Sequence, residues 1–389
     1  MDEALEEALK FVDANRANML NMWEELVNID SGSSDKEGVD TIAEKLKKYY
    51  DEIGFSTKVI EFNNAGNSLI AEVGAERQKK GILFIGHMDT VFKAGTVNER
   101  PFKIENGKAY GPGVLDMKGG LVVEYFAAKA LQKVGYYDRP IKVIISGDEE
   151  VAHVNSDKGK LFIRESEGYA ATFNCEPGYL DNGIVVGRKG VAKFTMEIHG
   201  VSAHAGSDPE KGSSAILEAA HKIIDIHKLT NFEEGTTYNV GVIHGGTVSN
   251  AVPDYVKLKI DVRFLDLDKT EEIISALKDV TNRTYIVGTK SILSGGVSFK
   301  PMETTEGIMK LFEHYKKTSI DLGYEMPYPK KSGGGSDAAN TVIAGVPSIC
   351  AVGVKGSNDH SPKEEADIES MFERTKVLIA SVLTYDKDC

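Results

Sequence analysis

The sequence predicts an α/β fold in two parts: an outer domain built on a mixed sheet with helices on both faces, and an α+β domain inserted into it. Three observations support this prediction. The chain of 389 residues is longer than one typical hydrophobic core requires. Strand-like and helix-like segments alternate in its first half and again near its end. Between them, the segment 189–300 contains a different order of elements.

The outer domain begins with helical patterns. Leu5, Ala8, Leu9 and Val12 recur at helical spacing, and a further helix is predicted over 38–54, where a glycine ends it. Strand-like runs follow in the order STKVIEF, SLIAEV, GILFIG, IKVIIS and YAATFN, with the helix LVVEYFAAKALQKVG between the third and the fourth. This alternation indicates a sheet that is covered by helices on both faces.

The inserted segment has its own order of elements. VAKFTMEIHG alternates like a strand, SSAILEAAHKIIDIHKL is an amphipathic helix, and TTYNVGVIHGG and DYVKLKIDVRF are two further strands. The helix KTEEIISALKDVTNR and the strand SILSGGVSF complete a β-α-β-β-α-β order, which is typical of ferredoxin-like domains. The predicted domains are therefore 1–188 with 301–389, and the insert 189–300.

Composition excludes several classes of partner. The net charge of −13 argues against nucleic acid and anionic membranes, which both require a basic surface. The acidic amino terminus does not resemble a secretory signal, and no apolar run is long enough to span a membrane. The three cysteines, at 175, 350 and 389, show no CxxC spacing, which suits a reducing cytoplasm and excludes a cysteine-cluster zinc site. Small molecules and peptides remain as ligands.

An acidic run follows one predicted strand. In VIISGDEEVAH, Asp148, Glu149 and Glu150 stand in succession after apolar residues. Such a run is commonly a solvated loop. It also suits a bound cation, which would offset the mutual repulsion of the carboxylates. The second interpretation requires further ligands at the ends of neighbouring strands.

Such ligands are present. In open α/β sheets ligands bind beyond the carboxyl ends of the strands. The residues found at such positions or in an adjacent glycine-flanked turn are His87 and Asp89, Asp116, Glu176, and His360. Asp116 alone could be a helix N-cap, and a histidine beside an acid is common. Together, imidazoles and carboxylates without thiolate suit zinc, manganese or cobalt, and the surplus of carboxylates favours two ions over one.

These residues lie in segments that resemble a known superfamily. HMDTVF, AYGPGVLDMKGG, DEE, NCEPG, GVSAHAG, TVSNAVPD, GGGSDAAN and HSPKEEAD occur in order over nearly the whole chain. They resemble the two-zinc metallopeptidases that include glutamate carboxypeptidases, aminoacylases, succinyl-diaminopimelate desuccinylase and tripeptidases. The glutamate carboxypeptidase branch is the most similar, on HMDTVF, the GPG-D-KGG segment and GGGSDAA.

The resemblance implies a ligand set for two Zn²⁺ ions, with Mn²⁺ or Co²⁺ as alternatives. One ion would be bound by His87 and Glu176, and the other by Glu150 and His360. Asp116 would bridge the two ions.

The resemblance also implies the catalytic residues. Asp89 would hold the ring of His87, and Glu149 would be the general base that activates a water held between the metals. His204 matches a histidine that reaches the site from the inserted domain, usually that of a partner subunit, although it could be a polar loop residue. A homodimer through the inserted domain is therefore expected.

Substrate-binding positions are implied as well. Asn250 and Arg263 would bind the substrate carboxylate, with arginine forming a bidentate fork. Arg263 could equally be a surface residue that pairs with Asp261 or Asp266.

Two further segments are expected to border the site. The backbone at Gly334 and Gly335 would meet substrate, because glycine permits close approach. The segment 151–155, VAHVN, replaces a Gly-Ser-rich turn found in many relatives, so specificity is expected to differ there.

The function predicted is hydrolysis of an amide bond, by release of a C-terminal, acidic residue from a small peptide or conjugate. The alternatives are an N-acyl-amino-acid amidohydrolase or dipeptidase with the same metals, and a non-catalytic binding paralogue. Retention of Glu149 beside a full ligand set argues against the last of these.

Overall fold

The computed structural model describes residues 3–388, which form two compact units. The first comprises the described residues of Met1–Gly187, Thr304–Lys331 and Ser336–Cys389. The second comprises Arg188–Glu303 and Ser332–Gly335, so part of the glycine-rich turn groups with the insert. Cys389, one of the three cysteines considered above, lies outside the described residues.

The helices of residues 3–388 are numbered in chain order. They are α1 (Glu3–Ala14), α2 (Arg16–Val27), α3 (Lys36–Glu52), α4 (Thr96–Glu99), α5 (Gly119–Lys133), α6 (Lys158–Ser166), α7 (Ala215–Lys228), α8 (Thr270–Asn282), α9 (Glu306–Asp321), α10 (Ala338–Ile343), α11 (Ile368–Leu383) and α12 (Tyr385–Asp388).

The strands are numbered in the same way. They are β1 (Ser56–Ile60), β2 (Ser68–Val73), β3 (Ile82–His87), β4 (Lys103–Glu105), β5 (Lys108–Tyr110), β6 (Ile141–Ser146), β7 (Ala171–Asn174), β8 (Gly178–Tyr179), β9 (Gly183–Arg188), β10 (Gly190–His199), β11 (Ala203–His204), β12 (Thr237–Gly245), β13 (Ala251–Val252), β14 (Tyr255–Phe264), β15 (Lys290–Phe299), β16 (Tyr328–Ser332), β17 (Ser348–Cys350), β18 (Lys355–Ser357) and β19 (Glu365–Asp367).

The first unit is built on a mixed sheet with the order β1-β2-β6-β3-β7-β17-β9-β16. The central strands β6, β3, β7 and β17 pair in parallel, whereas β1, β2 and β9 add antiparallel pairings at the sides. Parallel strands end at the same edge, so the residues that follow β3, β6 and β7 are brought together there.

Burial explains why the central strands read as continuous apolar runs. Every residue of β3 and β6 is buried, as expected for strands that are covered on both faces. Helix α3 packs on β1 and β2, α5 packs on β3, and α9 and α10 pack on β17. Trp23 of α2 is fully buried, and its indole N–H donates to the carbonyl of Val114 at 3.0 Å. That bond ties α2 to the turn that carries Asp116.

The second unit has the predicted ferredoxin-like order. Its antiparallel sheet has the order β12-β14-β10-β15. Along the chain, α7 lies between β10 and β12, and α8 lies between β14 and β15. Buried residues alternate along β10 and β14, because one face of the sheet packs on the helices. The predicted α/β class with an inserted ferredoxin-like domain therefore agrees with the structure.

Some elements were not predicted. Helix α2 follows α1 after one intervening residue, and a small sheet of order β4-β5-β19-β18-β8 lies in the first unit. Its strands contain two or three residues each, which is too short for a period to be recognised. This small sheet matters for the site, because His360 lies in the loop between β18 and β19.

Candidate metal centre

Side chains from distant parts of the sequence meet at the carboxyl edge of the parallel strands. His87 is the last residue of β3. Glu149 and Glu150 begin a 3₁₀ turn just after β6, and Glu176 lies two residues beyond β7. Helix α5 reaches this edge closely because Gly120 has no side chain: a Cβ there would lie 2.0 Å from the carbonyl oxygen of Cys175.

Asp116 lies between two histidines. Its Oδ1 is 3.1 Å from Nε2 of His87, and its Oδ2 is 3.1 Å from Nε2 of His360. The N-cap position of α5 is occupied by Lys118, so Asp116 does not serve as the helix cap. A carboxylate that offers one oxygen to each of two imidazoles has the arrangement of a bridging ligand.

Each histidine also lies near a second carboxylate. Nε2 of His87 is 3.9 Å from Oε1 of Glu176, and Nε2 of His360 is 3.1 Å from Oε2 of Glu150. Donor atoms lie within 4.8 Å of one another in three sets, which are His87, Asp116 and Glu150; His87, Glu149 and Glu176; and Asp116, Asp359 and His360. All the predicted metal ligands therefore meet in one place, and Asp359 is an addition that the sequence did not indicate.

The donor set fits two divalent cations. Two ligands of one tetrahedral zinc ion, each at 2.0–2.1 Å, lie roughly 3.3 Å apart, close to the Asp116–histidine separations. Oε1 of Glu150 is buried and has no hydrogen-bond partner among the described residues. A buried oxygen in that state costs free energy, which a bound cation would offset.

The electrostatics of the described residues point the same way. Burial, followed by the charge of Glu176, raises the pKa of Glu149 well above its usual range. Burial and the charge of Asp116 raise the pKa of Glu150 to about 8. Hydrogen bonds to Asp116 and Glu150 raise the pKa of His360 to about 11. Because ionised carboxylates in the site repel one another, these groups hold their protons to higher pH than exposed groups do. Bound cations would offset the same repulsion and would replace those protons.

Comparison with known proteins identifies the family. Residues 186–289 match the model of the M20 peptidase dimerisation domain. The chain is 30% identical over 373 residues to carboxypeptidase G2 of Pseudomonas sp. (strain RS-16), covering 92% of this chain and 86% of the relative. The chain belongs to the M20 peptidase family.

Other M20 relatives differ in activity. Succinyl-diaminopimelate desuccinylase of Rickettsia akari is 27% identical, with 82% of this chain and 87% of the relative covered. The solved structure of aminopeptidase PepT from Bacillus cereus is 27% identical, has a TM-score of 0.78, and covers 95% of this chain and 98% of that one. M20 enzymes are hydrolases that depend on metal ions and generally bind two of them.

Asp89 supports two parts of this M20 centre through hydrogen bonds. Its carbonyl oxygen lies 3.0 Å from Nδ1 of His87, and its Oδ1 lies 3.4 Å from the same nitrogen. The carboxylate also accepts from the backbone N–H groups of Glu149 and Glu150 at 3.0 and 3.1 Å, and from the Ser33 hydroxyl at 2.6 Å. One buried acid therefore orients both a histidine and the backbone of the acidic turn.

Glu364 is a supporting residue that sequence reasoning missed. Its buried carboxylate accepts from the backbone N–H groups of Gly113, Leu115 and Asp116 at 3.0, 2.8 and 2.9 Å. These bonds fix the turn from which Asp116 projects. The available signal was its position four residues after His360 in HSPKEEAD.

His204 and Asn250 lie beside each other in the second unit. His204 belongs to β11, which pairs antiparallel with β13, and the N–H of Ala205 donates to the carbonyl of Asn250 at 2.9 Å. Nδ1 of His204 accepts from the backbone N–H groups of Gly206 and Ser207 at 3.1 and 3.0 Å. These bonds place a proton on Nε2 of the neutral ring, which is exposed.

Arg263 forms the surface ion pair that the sequence left open as an alternative. Its guanidinium donates to both oxygens of Asp261 at 2.7 and 3.0 Å, and also to the carbonyl of Gly333 at 3.0 Å. Gly335 lacks a side chain for a packing reason, because a Cβ there would lie 2.4 Å from the Phe299 ring. Gly334 is only partly buried, and its carbonyl lies 3.4 Å from a guanidinium nitrogen of Arg188.

None of the helices in residues 3–388 combines the length and the apolar character that crossing a bilayer requires.

Proposed function

We propose that this M20 enzyme is a carboxypeptidase that releases a C-terminal residue, glutamate in particular, from a small peptide or N-acyl conjugate. The observation that carries the proposal is the buried Glu149, which forms a donor set with His87 and Glu176; His87 also belongs to a second set, with Asp116 and Glu150. The carboxypeptidase relative, which spans most of both chains, supports this choice of substrate class.

The proposed metals are two Zn²⁺ ions, with Mn²⁺ or Co²⁺ as alternatives. His87 and Glu176 would hold one ion, Glu150 and His360 the other, and Asp116 would be shared. Imidazole and carboxylate ligands without thiolate suit these three metals. When bound, the ions would polarise the scissile carbonyl and raise the acidity of a nearby water.

The chain itself supplies the proton transfer. Glu149 accepts a proton from the attacking water and donates it to the leaving nitrogen as the amide bond breaks. Its environment suits both steps, because burial and the neighbouring carboxylates raise its affinity for a proton, while bound cations would keep it ionised at the start. Asp89 keeps Glu149 in place through the Glu149 backbone N–H.

Residues of the inserted domain would complete the site. His204, with a donor at Nε2, would stabilise the negative oxygen that develops on the substrate. Asn250 and Arg263 would bind the substrate carboxylate. In doing so, Arg263 would direct at least one of the N–H groups that now contact Asp261 to the substrate. Gly334 and Gly335 would present backbone groups to the substrate. The match to a dimerisation domain supports a homodimer, in which His204 serves the partner.

We also place the enzyme in the cytoplasm. The cysteines of the sequence show no CxxC spacing, which agrees with a reducing compartment.

A second activity has its own support. The desuccinylase relative acts on an N-acyl compound, as its name states, and it also spans most of this chain. An N-acyl-amino-acid amidohydrolase or dipeptidase would use the same metals and the same base.

The deciding experiment is a substrate panel with zinc-reconstituted protein. It compares N-benzoyl-L-glutamate, N-benzoyl-L-lysine, N-acetyl-L-ornithine, N-succinyl-L,L-diaminopimelate and trialanine by kcat/KM. Highest kcat/KM on the glutamate conjugate supports the carboxypeptidase. Preference for the ornithine or diaminopimelate compound favours the acylase, and absence of hydrolysis across a broader set of acyl and peptidyl amino acids excludes both.

A further inference from the structure

His153 lies in the segment that follows the acid pair, and both of its ring nitrogens contact carboxylates. Nδ1 is 2.8 Å from Oδ1 of Asp148, and Nε2 is 2.5 Å from Oδ1 of Asp337. Only 8% of the side chain is exposed. The ring therefore forms a buried bridge between two acids that are far apart in sequence.

Asp148 ties this bridge to helix α6. It is fully buried, and its Oδ1 also contacts Nζ of Lys158 at 2.7 Å. Lys158 is fully buried too, and donates to the carbonyl of Gly66 at 2.6 Å. The cluster contains two acids, one lysine and one histidine, so groups of opposite sign are paired, which is the condition under which buried charges are tolerated.

Asp337 ties the other end of the bridge to β6 and α10. Its Oδ2 accepts from the hydroxyl of Ser146, the last residue of β6, at 2.9 Å. It occupies the N-cap position of α10, and its Oδ1 accepts from the side-chain amide of Asn340 at 3.3 Å. The His153 ring also stacks on Phe162 of α6, with centroids 6.3 Å apart. His153 thus links the acidic turn to two helices and one strand end.

The backbone of this turn needs support. Ala152 and His153 adopt positive φ values of 56° and 55°, which non-glycine residues rarely do. The N–H of His153 donates to the carbonyl of Asp148 at 3.1 Å, and that of Ala152 donates to Glu149 at 2.6 Å. The turn therefore closes directly over Glu149 and Glu150, and the side-chain bonds of His153 hold it in that form.

We propose that His153 is a positioning residue for the reaction: by bridging Asp148 and Asp337, it fixes the turn from which Glu149 and Glu150 reach the metals. His153 acts through these residues and does not touch the substrate. The inference rests on the roles proposed above for Glu149 and Glu150. It assigns a function to the segment 151–155, which follows the acid pair directly.

The test compares His153→Gln with the control His314→Gln, each in the full-length zinc-loaded enzyme. His314 is also a buried histidine of the first unit, and its Nε2 contacts the carbonyl of Ser381 at 2.8 Å. The measurements are kcat and KM on the best substrate of the panel, zinc affinity by competition with a chromophoric chelator, and hydrogen exchange of the peptide 146–157.

For His153→Gln we expect kcat and zinc affinity each to fall about 10–100-fold, the usual range for residues that support metal ligands. KM should change by less than about threefold, because both ring nitrogens of His153 contact Asp148 and Asp337 and neither is left to bind substrate. Exchange of 146–157 should accelerate. His153→Gly should show the same losses, with part of kcat restored by free imidazole. His314→Gln should leave all of these quantities near wild type.

Other outcomes overturn the proposal. They are a kcat within twofold of wild type with unchanged exchange, or equal losses in the His314 control. If His153→Gln does not fold, Asp337→Asn removes the same bridge from the other side, and an unaltered kcat and exchange rate in that variant would count against it. If wild type hydrolyses nothing, the proposed function fails, while zinc affinity and exchange still decide the role of His153.

Discussion

Oδ2 of Asp116 lies 3.1 Å from Nε2 of His360, although the two residues are 244 positions apart in the chain. The other oxygen of the same carboxylate faces His87 at an equal distance. One acid is therefore placed to serve both of the proposed cations, each of which would have its own histidine and its own glutamate.

Removal of one histidine should remove one metal. His360→Ala takes a ligand from the ion proposed for Glu150 and leaves the His87 side intact, so bound zinc should fall from about two to about one per chain. Elemental analysis after dialysis measures this. His244→Ala, an exposed histidine of the second unit, is the control and should retain the wild-type content. Two zinc ions in His360→Ala would contradict the assignment.

Glu149→Gln should separate metal binding from catalysis. The amide cannot take the proton of the attacking water, so kcat should fall by about 10²–10⁴-fold. Zinc content and melting temperature should stay close to wild type, since Asp89 binds the backbone of residue 149 and not its side chain. The control is Glu369→Gln, an exposed acid on α11. Near-normal kcat in Glu149→Gln would refute the role of general base.

Glu364→Gln should weaken the turn that carries Asp116. Burial raises the pKa of Glu364 to about 7, so the carboxylate is mainly ionised at pH 8 and accepts charge-assisted bonds from three N–H groups. In the glutamine an NH₂ donor replaces one acceptor oxygen, so at least one of these buried N–H groups loses its partner, which should lower the free energy of unfolding by about 1–3 kcal/mol. Chemical denaturation at pH 8 measures it. The neighbouring Glu365 pairs with the partly exposed Lys108 and accepts from the Ser357 hydroxyl at 3.1 Å, which a glutamine oxygen can still do, so Glu365→Gln should cost about 0–1 kcal/mol. Equal costs would refute the argument.

The charge on His153 should make stability depend on pH. Burial lowers the pKa of His153, but Asp337 and Asp148 outweigh it and raise the pKa from 6.5 to about 10. Lys158 faces the same cluster through Asp148. A raised pKa stabilises the folded state fully below about pH 6.5 and loses that contribution as pH rises through about 10.

The His153→Gln variant isolates this contribution. The difference in free energy of unfolding between wild type and variant should be largest near pH 6 and should shrink steadily above pH 7, by about 1.4 kcal/mol for each pH unit. Urea titrations of the metal-free proteins from about pH 6 to 10.5 would measure it. A difference that is constant with pH, or that grows with it, would show that the ring is neutral in the folded protein.

Dimerisation should depend on the exposed face of α7. Leu217 and Ile224 on this helix are 49% and 56% exposed, in a domain whose family match names dimerisation. The double variant Leu217→Glu/Ile224→Glu should shift the protein toward monomer in sedimentation velocity and lower kcat if His204 serves the partner. Val287→Glu, at a residue 90% exposed in the same unit, is the control. A dimer of unaltered affinity would exclude this face.

Local sequence patterns predicted much of the fold. Strands β2 and β6 begin and end where their apolar runs do, and α3, α5 and α7 differ from prediction by a few residues. Period and turn residues are local properties, so they survive folding. The short strands of the small sheet were missed, because two or three residues carry no period and their pairing depends on partners far along the chain.

The sequence by itself determined the chemistry of the site: which residue types follow the strands, and that imidazoles and carboxylates without thiolate suit divalent cations. Only the tertiary structure decided how they meet. It placed Glu364 beneath Asp116, paired Arg263 with Asp261, and turned His153 inward between Asp148 and Asp337. The sequence specifies the type of each residue, whereas the distances between remote residues, and their burial, are established only when the sheet and its loops pack together.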